Sequence, residues 1–184
     1  MKKEKAFAQY REMIEAADFE SGIPEEFKSI PKDTVEQLKK LNMTISAAES
    51  LTAGLFQSSI ADIPGASQVM EGGFVTYSDE AKANLLHISS DIIKKYTVVS
   101  PTVAQVMSES TAKINSADIG VGLTGVAGPD PLEGSPVGTV FIGVYDRKID
   151  SCIVREFHFE GSRRAVRLKS VIIAFVLVQK LIQE

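Results

Sequence analysis

The sequence has few of the residues that build disulfide-linked or metal-binding proteins. Its 184 residues include one cysteine, Cys152, and two histidines. A single cysteine excludes an internal disulfide framework, and two histidines leave few ligands for a His or Cys metal site. Basic residues are not in excess either, because the formal net charge is −4. We therefore expect a metal-free protein for which nucleic-acid binding is disfavoured, although a local basic cluster could still hold one phosphate group.

Long apolar runs are also missing. The longest notable stretch, residues 171–178, has eight apolar residues in a row, far short of the roughly 20 that cross a bilayer. The N-terminus is charged and amphipathic and lacks the apolar segment of a secretory signal. These features predict a cytoplasmic protein with no membrane association. The same apolar run predicts that the last helix is buried nearly all round, either under the N-terminal helix or against another subunit.

Strand-like and helix-like segments alternate along the chain. This alternation predicts an α/β fold with the layers of an α/β/α sandwich. A short charged turn at residues 146–148 joins the last two strands as a hairpin, so one strand should be antiparallel and the sheet mixed. The predicted strands cover residues 43–48, 73–77, 119–124, 137–145 and 151–159. The predicted helices cover residues 2–19, 31–41 and 51–61 and follow the cap residues Ser78, Ser100 and Ser162.

Ser50 stands where the first predicted strand ends and a helix begins. Open α/β sheets bind ligands at this kind of junction, and amides at a helix start favour anions or a developing oxyanion. A serine at this position is also the commonest kind of helix cap. From the residues alone, a cap is the favoured interpretation and a reactive hydroxyl is the alternative.

Tyr77 and Lys82 follow the next predicted strand, and they could meet Ser50 at the same edge of the sheet. Lys82 should point back toward that strand end, because helix side chains lean toward the helix N-terminus. Burial and the helix dipole would lower its pKa, as a general base requires, whereas Asp79 and Glu80 act in the opposite direction. Ser-Lys hydrolases use this set of groups. The alternatives are a solvated lysine paired with those acids and a half-buried strand tyrosine.

Two further features could contact a ligand at this edge. A loop containing Gly125 and Gly128 follows the third strand, where small residues let backbone amides approach a substrate. Three arginines, Arg163, Arg164 and Arg167, crowd the start of the last helix. This placement is unfavourable without an anion, which suggests a bound phosphate. The alternative, which stays open, is that these arginines lie on a solvated face or pair with nearby glutamates.

Five ordered motifs resemble those of the CinA C-terminal domain family. They are AESLTAG at residues 48–54, GFVTYSDEAK at 73–82, VS at 99–100, TGVAGP at 124–129 and PVGTV at 136–140, and FEGSR at 159–163 precedes the last helix. The resemblance runs from about residue 35 to the C-terminus. The family includes stand-alone nicotinamide-nucleotide amidases. The resemblance thus divides the chain into an accessory helix and linker at residues 1–28 and an amidase-like domain at residues 29–184.

The resemblance implies a mostly parallel, mixed five-stranded sheet and hydrolysis of nicotinamide mononucleotide to nicotinate mononucleotide and ammonia, without a metal or organic cofactor. Ser50 would be the nucleophile and Lys82 the base, with Tyr77 assisting between them. Amides of residues 52–54 or of the Gly125 loop would hold the oxyanion. The resemblance also favours a homodimer. The residues expected to bind the substrate are Thr52, Gly54, Thr124, Gly125, Gly128, Arg163 and Arg164.

The chain departs from the family pattern in three places, and two of them, the changed loop and the extra N-terminal helix, keep a second hypothesis open. Ala53 replaces a glycine, and its methyl group could narrow the approach to the helix amides. Residues 130–135 have less glycine than the family pattern, lack its lysine and add an acid. Residues before about Ser29 have no counterpart in the family core. The alternative is therefore a nucleotide-binding or regulatory protein without turnover, linked to competence or recombination.

Overall fold

The computed structural model describes residues 2–183, with side chains described from Glu4 onward. Seven α-helices and five strands alternate within this range. The helices are α1 (Lys2–Ala16), α2 (Ile30–Leu41), α3 (Leu55–Ala61), α4 (Asp79–Leu86), α5 (Ser90–Tyr96), α6 (Pro101–Ile114) and α7 (Arg163–Ile182). The strands are β1 (Ile45–Glu49), β2 (Phe74–Val75), β3 (Ile119–Gly125), β4 (Thr139–Asp146) and β5 (Ser151–His158).

The five strands form one mixed sheet in the order β2-β1-β3-β4-β5. β1 pairs with β2 and β3 in parallel, whereas β4 pairs antiparallel with both β3 and β5. Four strands thus run in one direction and β4 runs against them. This topology confirms the predicted α/β class, the mixed sheet and its single antiparallel member. It also brings the ends of β1 and β3 to one edge of the sheet, since parallel strands end on the same side.

Helices cover both faces of the sheet and make the three layers. On one face α6 lies over β3 and β4, with α4 and α5 beside it. The approach is close because β3 presents glycine there: a Cβ on Gly122 would lie 2.3 Å from the carbonyl oxygen of Ala104 in α6. α1, α2, α3 and α7 cover the other face around the larger apolar core. Helices therefore pack against both faces of the sheet whose edge carries the ends of β1 and β3.

The last helix is buried along most of its length, as its apolar run predicts. α7 packs against α1 and α2, and residues 170–178 are all buried. Of the two predicted partners for this helix, the structure therefore shows the N-terminal helix. α1 contributes Phe7 and Ile14 to the same core, with Ile14 fully buried.

Three elements differ from their sequence predictions. The helix expected over residues 51–61 begins only at Leu55, and residues 51–54 form turns. The strand expected over residues 73–77 is reduced to two residues at the sheet edge, where only β1 is available to pair with it. α5 was not predicted. It is a seven-residue helix with a single buried residue, Ile93, so its apolar signal is weak.

Candidate functional site

Ser50 comes directly after β1 and is partly exposed. Its amide donates a hydrogen bond of 2.9 Å to the carbonyl of Leu123 in β3, so the sheet fixes its backbone. Its hydroxyl does not cap a helix, because α3 starts five residues later, with Gly54 at the cap position. The predicted helix boundary, and with it the cap interpretation of Ser50, is wrong.

Glu49 performs the capping instead. This fully buried carboxylate accepts hydrogen bonds from the amides of Gly54, Phe56 and Gln57 at 2.9 to 3.1 Å. An anion at a helix start satisfies orphan amides and complements the helix dipole. Because Glu49 supplies the cap, the neighbouring serine hydroxyl is left for other contacts. The sequence did not predict this role, because the carboxylate bonds to amides five to eight positions further along the chain.

Lys82 is the hydrogen-bond partner of the Ser50 side chain. Its amine donates to Ser50 Oγ at 3.3 Å and to the carbonyl oxygen of Thr76 at 3.0 Å. The residue is only 1% exposed. Ser78 caps α4 as predicted, with its hydroxyl accepting from the amide of Ala81 at 3.0 Å. This cap fixes the start of α4, the helix from which the lysine reaches back to the strand end.

The environment of Lys82 favours its neutral form. Burial lowers the pKa of the amine below its ordinary value, and the negative charges of Asp79 and Glu133 raise it to a lesser extent. Desolvation penalises the charged form of a buried lysine, and neither of its hydrogen-bond acceptors is an anion. A neutral amine within hydrogen-bonding distance of a serine hydroxyl can accept its proton.

Tyr77 is not placed between these two groups. Its side chain is 59% exposed, and its hydroxyl accepts a hydrogen bond of 2.6 Å from Arg163 Nη2. Lys82 contacts Ser50 directly instead. The predicted intermediate position of Tyr77 is therefore corrected: in the structure, its hydroxyl contacts an arginine on the rim of the site.

A cavity of about 290 Å³ opens beside Ser50. The predicted residues on its wall include Gly125, Gly128 and Arg163, whose Nη1 donates 2.5 Å to the carbonyl of Gly128. The full lining is Ser50, Leu51, Tyr77, residues 125–132 and Arg163. A larger cavity of about 380 Å³ lies between α1 and α7. It contains none of the predicted site residues, so we assign the site to the cavity at Ser50.

Four residues predicted to bind substrate do not line this cavity. Thr124 is buried, and its hydroxyl donates to the carbonyl oxygen of Val98 at 2.6 Å. Thr52 is also buried, and the amide of Gly54 is taken up by Glu49. Arg164 is exposed and lies outside the lining. Thr52 and Thr124 are thus buried behind the cavity wall, and Gly54 contributes its amide to the hydrogen bonds of Glu49.

Two backbone amides beside the nucleophile are free. Among the described residues, the amides of Leu51 and Thr52 have no hydrogen-bond acceptor, whereas the amide of Ala53 donates to the carbonyl of Ser50. Two of the three amides predicted at residues 52–54 to hold the oxyanion are therefore already bonded within the protein. Only Thr52 of that set offers a free N–H, and Leu51 adds a second one on the cavity wall.

Arg167 fixes the peptide planes that carry this turn. Its Nε donates to the carbonyl of Leu51 at 2.9 Å, and its Nη2 donates to the carbonyl of Thr52 at 2.8 Å. In a trans peptide the C=O and the N–H point in opposite directions. Holding the Leu51 carbonyl therefore turns the Thr52 amide away from Arg167. The sequence placed Arg167 only within a basic cluster, and this role depends on a contact across 116 positions.

The altered loop forms one side of the cavity. Residues 130–132 line it, and a short bridge between Leu132 and Ser135 closes the loop. Glu133 anchors the loop by accepting a hydrogen bond of 2.9 Å from the amide of Val98. The sequence departure at residues 130–135 thus lies at the site and is not a remote surface change.

Metal-ligating clusters and membrane-spanning helices are both absent from residues 2–183. This range contains no group of three or more His, Cys, Asp and Glu residues that could hold a metal ion. No helix in the same range has the length and hydropathy to span a membrane.

Comparison with known families matches residues 27–182 to the CinA C-terminal domain. The chain belongs to the CinA C-terminal domain family. Two relatives, each named as a competence-damage inducible protein, come from Streptococcus pyogenes serotype M1 and Streptococcus agalactiae serotype III. They are 49% identical over 156 residues and 50% identical over 152 residues, covering 84% and 83% of this chain. The chain spans 36% of the length of each of these relatives.

Solved CinA-type structures share the fold. A CinA superfamily protein from Klebsiella pneumoniae matches with a TM-score of 0.82 and 26% identity, over 85% of this chain and 98% of that protein. A competence/damage inducible protein from Agrobacterium tumefaciens matches with a TM-score of 0.82 and 26% identity, over 88% and 98% of the two chains. The family assignment predicted from the sequence motifs is confirmed.

Proposed function

We propose that this CinA-family chain is an amidase that hydrolyses nicotinamide mononucleotide to nicotinate mononucleotide and ammonia. One observation carries the proposal: the buried amine of Lys82 donates to Ser50 Oγ at the edge of the sheet, beside an open cavity. Burial lowers the pKa of this lysine, which is the direction that a general base for such a serine needs. Without it, a serine hydroxyl is a weak nucleophile at neutral pH.

The first half of the reaction forms an acyl-enzyme. Neutral Lys82 takes the Ser50 proton as Oγ attacks the carboxamide carbon, and the carbonyl oxygen becomes an oxyanion. The free amide of Leu51 follows the nucleophile directly on the cavity wall and is the donor we assign to that oxyanion. The lysine ammonium then returns the proton to the amide nitrogen, and the C–N bond breaks to release ammonia.

The second half hydrolyses the ester. A water molecule gives a proton to Lys82 as its oxygen attacks the ester carbon, and the same amide holds the second oxyanion. The bond to Ser50 Oγ then breaks, the proton passes from Lys82 to the serine, and the carboxylate product leaves. All proton transfers use groups of the chain, substrate and water, so the proposed cycle involves no metal ion or organic cofactor.

The charges on the cavity wall support a pyridine nucleotide as substrate. Arg163 is bonded to a carbonyl and a phenol, so no anion among the described residues neutralises it. Arg163 can therefore attract a phosphate. The next residue, Arg164, is exposed and adds a second positive charge. Asp130 adds a carboxylate to the same lining. A nicotinamide mononucleotide carries a cationic ring and an anionic phosphate, which suits a wall with both charges.

The test is ammonia release from nicotinamide mononucleotide by the purified protein, with Ser50→Ala and Lys82→Met beside it. We expect turnover by the wild type and a loss of at least about 10³-fold in both variants, as for removal of a nucleophile or its base. Lys94→Met, at an exposed lysine of α5, is the matched control and should keep full activity. Circular dichroism would verify that all variants fold.

The second candidate is nucleotide binding without turnover, in a regulatory role tied to competence. The names of the streptococcal relatives favour it, as does the altered loop at residues 130–135. Calorimetric binding of nicotinamide mononucleotide by a folded wild type that releases no ammonia would select this candidate. A cytoplasmic location and a homodimer are further proposals, which fractionation and light scattering would test.

A further inference from the structure

The N-terminal segment reaches the site through the start of α7. Glu20 follows the buried Phe19, and its Oε1 accepts a hydrogen bond of 2.7 Å from the amide of Ser162, the cap residue of α7. Arg163, on the cavity wall, is the next residue. Glu20 precedes residues 27–182, which match the family domain. The contact therefore joins the segment before that domain to a residue within it, Ser162.

The geometry around Glu20 is tight on both sides of the contact. Its own amide donates to Asp18 Oδ1 at 2.8 Å, and Phe19 stacks on Phe27 with ring centroids 5.6 Å apart. On the α7 side, Gly161 has a φ of +118°, and a Cβ there would lie 2.9 Å from Glu20 Oε1. A side chain at position 161 would therefore crowd the carboxylate, and the stacked rings hold the backbone beside Glu20 in place.

The charge of Glu20 also suits its position. The first turn of α7 contains Arg163 and Arg164 and no acid, which is unfavourable at the positive end of a helix dipole. The Ser162 hydroxyl caps the amide of Ala165 at 3.3 Å, and the amide of Ser162 itself is satisfied by Glu20. An external carboxylate thus supplies the anion that the helix start lacks.

We infer that Glu20 is a positioning residue of the site, which fixes the first turn of α7 and thereby holds the Arg163 guanidinium over the cavity. Arg163 joins Gly128 and Tyr77 on two sides of this cavity through hydrogen bonds of 2.5 and 2.6 Å. A shift of the helix start moves the guanidinium away from these partners. The accessory segment is thereby coupled to substrate binding, an inference whose kinetic part rests on the proposed amidase function.

The kinetic test compares Glu20→Ala with Glu20→Gln and with Glu12→Ala, a matched control at an exposed acid of α1. For nicotinamide mononucleotide we expect Glu20→Ala to raise KM about three- to tenfold and to change kcat less than about twofold, because substrate positioning is weakened and the Ser50–Lys82 pair is untouched. Glu20→Gln keeps a side-chain oxygen that can accept from the Ser162 amide, so its KM should stay close to that of the wild type. An unchanged KM in Glu20→Ala, or an equal rise in Glu12→Ala, would overturn the inference.

A second measurement does not depend on turnover. In the ligand-free protein, nuclear magnetic resonance can follow hydrogen exchange of the Ser162 amide and the Nε–H signal of Arg163. We expect Glu20→Ala to speed exchange at Ser162 at least about tenfold and to shift the Arg163 signal, with Glu12→Ala leaving both unchanged. If the wild type releases no ammonia, these signals still decide the inference. Unchanged signals in Glu20→Ala would overturn it whatever the enzyme does.

Discussion

At the residue scale, the chemistry depends on a hydroxyl and an amine that the chain separates by 32 positions. Lys82 is buried with only neutral acceptors, so the environment itself favours loss of its proton. Two acids oppose this effect without contacting the amine, namely Asp79 in the first turn of α4 and Glu133 in the cavity loop. The pH at which the lysine becomes a base is therefore set partly by the loop that distinguishes this chain from the family pattern.

Glu133→Gln should shift the pH dependence of the amidase toward lower pH. The negative charge of Glu133 raises the pKa of Lys82, so its removal lowers that pKa and makes the neutral base available at lower pH. Glutamine can still accept the hydrogen bond from the Val98 amide, which keeps the loop anchored. The measurement is the rising limb of kcat/KM against pH. Glu80→Gln is the control, and a midpoint that stays in place or rises in Glu133→Gln would contradict the argument.

Ala53→Gly should stabilise the protein. Ala53 has a φ of +51°, in the left-handed region where a side chain is strained and glycine is not. Its side chain is exposed and absent from the cavity lining, so the expectation that its methyl narrows the site finds no support in the cavity wall. We expect the free energy of unfolding in urea to rise by about 0.5–1 kcal/mol. Gly54→Ala, at a φ of +93°, should lower it instead.

At the element scale, α7 organises the site more than any other helix. Its first two turns reach three different connecting segments: Arg163 contacts the loop after β3 and the segment between β2 and α4, and Arg167 contacts the turn after β1. The predicted phosphate-binding cluster of arginines is thus divided in the structure. Arg163 lies on the cavity, Arg164 is exposed, and Arg167 stabilises backbone.

Arg167→Lys should lower kcat more than it changes KM. A lysine keeps the charge but lacks the fork that holds two adjacent carbonyls, so the turn after Ser50 can shift and the Leu51 amide at its start loses its direction. Loss of one oxyanion donor typically lowers kcat by about 10²-fold, and a misdirected donor should lower it by about 10- to 100-fold. Steady-state kinetics with nicotinamide mononucleotide measure this split. Arg164→Lys is the control, and an equal effect there would contradict the assignment.

Element boundaries were the least predictable feature at this scale. Sequence pattern gave the caps of α4, α6 and α7 correctly, because Ser78, Ser100 and Ser162 bond locally to an amide three residues on. The start of α3 was placed four residues too early. Its cap, Glu49, acts across several positions and shows only when the turn is folded. Cap hydrogen bonds between residues three positions apart can be predicted from a sequence, whereas the bonds from Glu49 to more distant amides could not.

At the scale of the whole molecule, the N-terminal helix and the sheet domain share one core. Ile14 and Phe19 are buried within the same cluster as α7 and β4. The buried amine of Lys169 in α7 also donates to the carbonyl of Glu15 at 2.9 Å and that of Glu160 at 3.2 Å. The segment predicted as accessory therefore covers the central apolar helix, and its removal would expose that helix to water.

Ile14→Ala should destabilise the entire protein, not only its first helix. The side chain is fully buried, and truncating a buried isoleucine to alanine typically costs about 2–5 kcal/mol. Met13→Ala, one residue earlier and 42% exposed, should change the free energy of unfolding by less than about 1 kcal/mol. Urea unfolding followed at both near- and far-ultraviolet wavelengths measures this. Two separate transitions, or equal effects of the two variants, would show that α1 is not part of the common core.

The sequence by itself determined the alternation of strands and helices, the single antiparallel strand, the family and the identity of Ser50 and Lys82 as a candidate pair. These follow from local periodicity, turn chemistry and motif order. Only the tertiary structure decided that Lys82 contacts Ser50 directly, that Tyr77 faces Arg163, and which amides are left free. Such outcomes depend on the competition of distant groups for the same hydrogen-bond partners, as when Glu49 takes the helix cap and releases the serine. That competition is settled only when the chain is folded.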